Sequence, residues 1–122
     1  MGATQKNIPV TIAAGASLSN PALIGDHTLV GIYIPANWTT ASLSFQISFD
    51  EGVTFHNLYD DSGTEVNLTP TMSFLPQYFA LSPDPFGGIV LICVRSGTQG
   101  SPVVQVTAAP LTLVTKKIFP VR

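Results

Sequence analysis

Ser42-Leu43-Ser44-Phe45-Gln46-Ile47-Ser48-Phe49 alternates apolar and polar residues without a break. In an extended strand Leu43, Phe45, Ile47 and Phe49 share one face, and Ser44, Gln46 and Ser48 share the other. A period of two with one wet face marks an antiparallel strand packed on one side. Asp50-Glu51-Gly52 follows as a short turn, with Gly52 able to take positive φ. Val53 to Tyr59 then returns antiparallel. Asp60-Asp61-Ser62-Gly63 forms a second turn, and Thr64 to Leu68 a further short strand.

The same pattern extends in both directions. Thr28 to Ile34 places Val30, Ile32 and Ile34 on one face. Ile8 to Ala13 contains Pro9, which suits an edge strand or an arm. Ile89 to Val94 follows Gly87-Gly88 and is apolar on both faces, as a central strand would be. Arg95 to Pro102 reads as a loop. Val103 to Ala108 and Leu111 to Phe119, separated by Pro110, close the fold. Pro70, Pro76, Pro83 and Pro85 interrupt a strand around Ser73 to Leu81. Ten Gly and ten Pro punctuate the chain, and no window holds a helical apolar stripe free of them.

These segments predict an all-β chain: a single-domain, antiparallel, jelly-roll-like β-sandwich over residues 1–122, with about seven to nine short strands. Residues 1–8 are expected as an N-terminal arm and 116–122 as a C-terminal tail. The expected core gathers Phe45, Ile47, Phe49, Ile32, Val30, Leu91 and Cys93. The length of 122 residues fits one domain.

Composition narrows the function classes. Charged residues make up 10% of the chain, against about 25% in a typical soluble domain. The net charge of −2 gives nucleic-acid binding no electrostatic support. No apolar run reaches the roughly 18 residues of a membrane helix. Met1 to Lys6 has no apolar stretch of the signal-peptide kind, and Lys6 stands where a myristoylation pattern wants Ser or Thr. Asn37-Trp38-Thr39 and Asn67-Leu68-Thr69 match the glycosylation sequon. With no secretory signal expected, neither is read as a site. An exterior of Ser, Thr, Asn and Gln suits a protein packed in an assembly, where unpaired charge is costly to bury.

Catalytic and metal chemistry find little support. Cys93, the single Cys, sits in Ile92-Cys93-Val94 and reads as a small core hydrophobe, since a nucleophilic thiol needs an exposed, electropositive niche. Asp50, Glu51, Asp60, Asp61 and Glu65 gather most of the seven carboxylates. They read either as a Ca²⁺ site or, in the favoured reading, as Asx-type turn chemistry. Asp50 and Glu51 at a convex turn tip do not make a glycosidase pair. His27 and His56 have no third ligand at metal spacing. Gly97-Thr98-Gln99-Gly100 has neither the Lys nor the helix of a phosphate loop. Trp38 reads as a core-capping residue whose indole N–H meets a loop carbonyl. Exposed beside Tyr33 or Tyr59, it would instead stack on a sugar or anchor a partner. No enzyme activity, cofactor or metal is therefore expected.

Val30 to Thr39, continuing into Ala41-Ser42-Leu43-Ser44-Phe45-Gln46-Ile47-Ser48, carries a family resemblance. It is joined by Asp50, Gly52, Phe55, Leu58-Tyr59-Asp60, Gly63 and Glu65, and later by Arg95-Ser96-Gly97-Thr98, Pro102-Val103, Gln105 and Leu111-Thr112-Leu113. The pattern, over residues 8 to 115, resembles small structural proteins of tailed bacteriophages and prophages. One departure is Asp50-Glu51-Gly52, where the family pattern has Asp-Gly directly. The resemblance implies a non-enzymatic virion component made in the bacterial host cytoplasm. Its expected role is a capsid decoration, or cement, protein that binds the major capsid protein as a homo-oligomer such as a trimer. A head–tail adaptor, or a tail or fibre module binding a receptor or glycan through Trp38 and Tyr33, is the alternative. The Trp38 to Asp50 stretch also resembles carbohydrate-binding β-sandwiches of the discoidin type. Neither nucleic acid nor membrane is an expected partner.

The expected interface residues lie at the chain ends. They are Ile8, Pro9 and Val10 near the start, Trp38, and Lys116, Lys117, Ile118, Phe119 and Arg122 at the end. Ile118 and Phe119 beside Lys make a poor free end but a good anchor. Lys116, Lys117 and Arg122 would pair with acids at positions 50 to 65 of a neighbour.

Overall fold

A computed structural model of the chain describes residues 5–25, 27–36, 38–69, 77–81 and 91–117. The strands are β1 (Gln5–Ile12), β2 (Ala22–Leu23), β3 (His27–Ile34), β4 (Leu43–Ser48), β5 (His56–Asn57), β6 (Asn67–Leu68), β7 (Gln77–Ala80), β8 (Leu91–Thr98), β9 (Ser101–Pro102) and β10 (Ala109–Lys117). No helix occurs among the described residues, and every strand pair is antiparallel. One sheet has four strands in the order β1-β10-β3-β7. The other runs β2-β8-β4-β5, with β6 also paired to β4 and β9 to β8.

Both sheets contribute to one apolar core. Val10, Ile12, Leu29, Ile32, Leu111 and Leu113 come from the first sheet, and Leu43, Phe45, Ile47, Ile92 and Val94 from the second. Trp38 and Leu58 enter from connections. The inward facing of Leu43, Phe45 and Ile47 is realised as expected, with Phe45 opposite Val94 and Ile47 opposite Ile92, whereas Ser44 and Ser48, expected on a wet face, are fully buried.

Several expectations are corrected. Val30 does not share a face with Ile32 and is only half buried. A register shift lies where Val114 pairs Gly31 while Thr115 pairs Leu29, which leaves Val30 as the extra residue of a bulge. The bulge lets Leu29 and Ile32, three positions apart, both reach the core. Phe49 is 63% exposed. It lies past the end of β4 and stacks on His56, with ring centroids 5.4 Å apart. Cys93 is buried, but opposite Gln46 on the other side of the sheet from Phe45. Leu91 is half buried. The returning segment Val53 to Tyr59 is strand only at His56–Asn57, and Thr64 to Leu68 only at Asn67–Leu68. Residues 103–108 are not a strand, whereas β10 begins before Pro110. Arg95 to Thr98, read as loop, continues β8. Ser73 to Pro76, Gly87 to Val90, and Ile118 to Arg122 lie outside the described residues.

β1 is an edge strand, as Pro9 implied. Residues 5–8, expected in an arm, pair instead with Leu113 to Lys116 of the same chain. The backbone N–H of Thr11 donates to Asn20 Oδ1 at 2.9 Å, so it points away from β10. Pro9, two residues earlier, has the same orientation, and its missing donor faces the open edge. No ladder bond is lost there.

The irregular segment 103–108 is held by Gln105, whose side chain is fully buried. Its Oε1 accepts the Thr39 N–H at 2.8 Å. Its Nε2 donates to the Thr39 carbonyl at 3.1 Å and to Ser96 Oγ at 2.8 Å. Its backbone N–H donates to the Ala16 carbonyl at 2.9 Å, and its carbonyl accepts from Gly15 N–H at 2.7 Å.

The corrected facing has a direct test. Phe45→Ala is expected to cost about 3–5 kcal/mol in denaturant unfolding, as for other buried Phe. Phe49→Ala is expected to cost under about 1 kcal/mol, as for exposed positions. Equal losses would return Phe49 to the core.

Candidate functional site

Because Phe45, Ile47, Ile92 and Val94 point into the core, Ser44, Gln46, Cys93 and Arg95 take the outer face of the second sheet. Ser44 stands opposite Arg95, and Gln46 lies between Cys93 and Asn57. This face is not simply wet. Arg95 is only 6% exposed, and Ser44 is fully buried. Burying a guanidinium is tolerable only if its donors are met.

They are met by three different segments. Arg95 Nε donates to Ser44 Oγ at 2.9 Å, Nη1 to Asn57 Oδ1 at 2.9 Å, and Nη2 to Glu65 Oε2 at 3.1 Å. Ser44 Oγ donates onward to the Gly97 carbonyl at 2.7 Å. Glu65 Oε2 also accepts the Gln99 backbone N–H at 3.0 Å. Asn57 Nδ2 donates to Gln99 Oε1 at 2.5 Å, and Gln99 Nε2 donates to the Tyr59 hydroxyl oxygen. Gln99 can do this because Gln99-Gly100 forms the tip of the β8–β9 hairpin, closed by Thr98 opposite Ser101. Tyr59 and Glu65 face each other across an isolated bridge. Among the described residues no buried side-chain polar atom lacks a partner.

The acid cluster divides by role. Asp50 Oδ2 accepts the Thr54 hydroxyl at 2.6 Å, and Oδ1 accepts the Thr54 N–H at 3.0 Å and Ser48 Oγ at 2.7 Å. The Thr54 hydroxyl, then the Thr54 N–H and the Ser48 hydroxyl, lower the Asp50 pKa from 3.8 to about 2. Asp60 is likewise lowered, chiefly by the Ser62 hydroxyl and the Thr64 N–H. These are turn-holding carboxylates. Glu51 and Gly52 take φ of 61° and 89° at the centre of the first turn. Both signs match a type I′ turn, which normally prefers Asn or Gly at the first of these positions. Glu65 instead meets a base, Arg95 of its own chain. Among the described residues no group of three His, Cys, Asp or Glu is placed to hold a metal ion.

The remaining candidates are scattered. Trp38 is buried and its Nε1 donates to the Ala41 carbonyl at 3.2 Å, so it caps the core and offers no platform. Tyr33 is exposed on the first sheet, opposite Tyr78. Ile8 is half buried, Pro9 exposed and Val10 buried in β1, while Lys116 and Lys117 are exposed at the end of β10. Ile118, Phe119 and Arg122 lie outside the described residues. Burial raises the Cys93 thiol pKa, the opposite of what a nucleophile needs.

Arg95, Asn57 and Gln99 were not singled out from sequence as site residues. The available signal was Arg95 itself, an Arg following directly on an apolar strand run. No protein-family model matches the chain, no curated protein matches it, and no solved structure matches it.

Two expectations follow from these contacts. Glu65→Gln would leave Arg95 buried without its counter-charge and is expected to cost about 3 kcal/mol in urea unfolding. The second concerns Asp50. Because its folded pKa is depressed, its contribution is present above about pH 4 and is lost as pH falls through about 2. Carboxyl NMR titration should place Asp50 near 2, and Thr54→Val should move it back toward 3.8.

Proposed function

We propose that the chain is a jelly-roll-like β-sandwich serving as a non-catalytic structural component of a tailed-phage particle. In this reading it decorates the capsid as a homo-oligomer bound to the major capsid protein. The observation that carries it is the exterior. Leu23, Val53, Tyr78, Val104 and Val106 are exposed large hydrophobic residues, on a chain with only 10% charged residues. Such an exterior suits burial against neighbours better than a free life in water. The polar chemistry agrees. The carboxylates of Asp50, Asp60 and Glu65 are engaged in turns or with Arg95, and the thiol of Cys93 is buried.

The strand register adds a geometric reason. Gln5 pairs with Lys116, so both chain ends leave the first sheet at one corner. In this reading the corner where β1 begins and β10 ends is where a neighbouring copy docks. Ile118, Phe119 and Val121 supply apolar anchors there, and Lys116, Lys117 and Arg122 a basic rim.

Removing residues 118–122 should leave a cooperatively folding domain, since β10 ends at Lys117. By light scattering the full chain is expected to be oligomeric and the truncated chain smaller. In an electron-microscopy map of particles carrying the protein, a regular lattice over the capsid is expected. A few copies at one vertex would replace the decoration role with an adaptor or tail role. Absence from particles would overturn the proposal.

A further inference from the structure

The outer face of the second sheet carries a donor and an acceptor on bridge-paired residues, an exposed Tyr59 and a Glu65 whose side chain is 14% exposed. Glu65 Oε2 is engaged by both Arg95 and the Gln99 N–H, while among the described residues Oε1 accepts no hydrogen bond. The Tyr59 oxygen accepts from Gln99, which leaves its own hydroxyl proton to donate elsewhere. Tyr59 and Glu65 are bridge partners, so these two groups project from one side of the chain. Their positions are fixed before any ligand arrives. Arg95 is anchored by Ser44 and Asn57, and Gln99 links Asn57 to Tyr59. Such preorganisation lowers the ordering cost of binding.

The chemistry of the ligand follows from what the face offers. Arg95 offsets Glu65, so the cluster holds no net charge to attract a phosphate or a cation. Tyr59 is 42% exposed, and its ring is an apolar surface beside the polar pair. An oriented acceptor, an oriented donor and an aromatic ring match neighbouring hydroxyls on an uncharged pyranose. We propose that Tyr59, Glu65 and Gln99 form a binding site for a neutral saccharide, which engages them through a vicinal hydroxyl pair. The site stands independently of the virion reading, because a particle map does not bear on it.

The test is an amide NMR titration of the full-length, isotope-labelled protein with the methyl glycosides of glucose, galactose, mannose and N-acetylglucosamine. The range extends to about 50 mM, enough to saturate a millimolar site. The expected result is saturable shifts at the Glu65 and Gln99 backbone amides and the Asn57 side-chain amide with at least one glycoside. Tyr59→Phe removes the hydroxyl, and with it both the proposed donor and the acceptor of Gln99, and should weaken binding about tenfold, the equivalent of about 1.4 kcal/mol. Tyr59→Ala should abolish binding, and Tyr33→Ala on the other sheet should leave it unchanged. No saturable shift with any of the four glycosides would overturn the proposal. So would binding that survives Tyr59→Ala, or shifts confined to Tyr33 and Tyr78. If Tyr59→Ala does not fold, Tyr59→Phe decides: undiminished binding overturns the proposal.

Discussion

The carboxamide of Gln105 is the point through which the loops at one end of the molecule are tied to both sheets. It satisfies the N–H and the carbonyl of Thr39 at once, and the hydroxyl of Ser96 in β8. Its backbone takes Gly15 and Ala16 on the other side. The segment that leaves β1, the segment that leaves β3 and the segment that enters β10 therefore meet on one residue. None of the three is helix or strand there, so their backbone groups have no ladder to pair with. Without the Gln105 carboxamide the part-buried N–H and carbonyl of Thr39 would lose their partners, at roughly 1–3 kcal/mol for each one left unsatisfied. Val104 and Val106 can stand exposed on either side because the residue between them is fixed.

Arg95 plays a parallel part on the outside of the second sheet. From β8 the long side chain of Arg95 holds Ser44, Asn57 and Glu65, which lie on β4, on β5 and across the bridge from Tyr59. β5 and β6 are two residues each and could not persist on ladder bonds alone. The cluster substitutes side-chain bonds for missing strand length. This also explains why Ser44 is fully buried on a face that alternation assigns to water.

Regular alternation made the core strands legible. Phe45 and Ile47 declare their facing because nothing interrupts period two between Leu43 and Ser48. The pattern failed where geometry departs from period two. At Val30 a bulge inserts one residue, and no rule of composition announces it. At Phe49 the alternation outruns the sheet, so an inward position ends beside the core rather than in it. Trp38 was legible as a cap because a Trp with a polar handle at a strand end needs one local acceptor, and the Ala41 carbonyl is near in sequence. The Arg95 cluster was not legible. Its members lie 30 to 51 residues from Arg95 along the chain, and only the pairing of β4 with β8 brings them together.

Edge chemistry constrains how the molecule can associate. The first sheet exposes the outer side of β1, an eight-residue strand long enough to template another. At that edge Pro9 offers no donor, and the N–H of Thr11 is already bound to Asn20. An incoming strand would lose two consecutive outward donors in the half of β1 nearest the core. Only the stretch around Gln5 and Asn7 remains, where β1 pairs the end of β10. Continuous sheet extension across copies is thus blocked where it would be strongest. Along this edge the outward donors left open are those at Gln5 and Asn7, at the end of β1 farthest from Pro9 and Thr11.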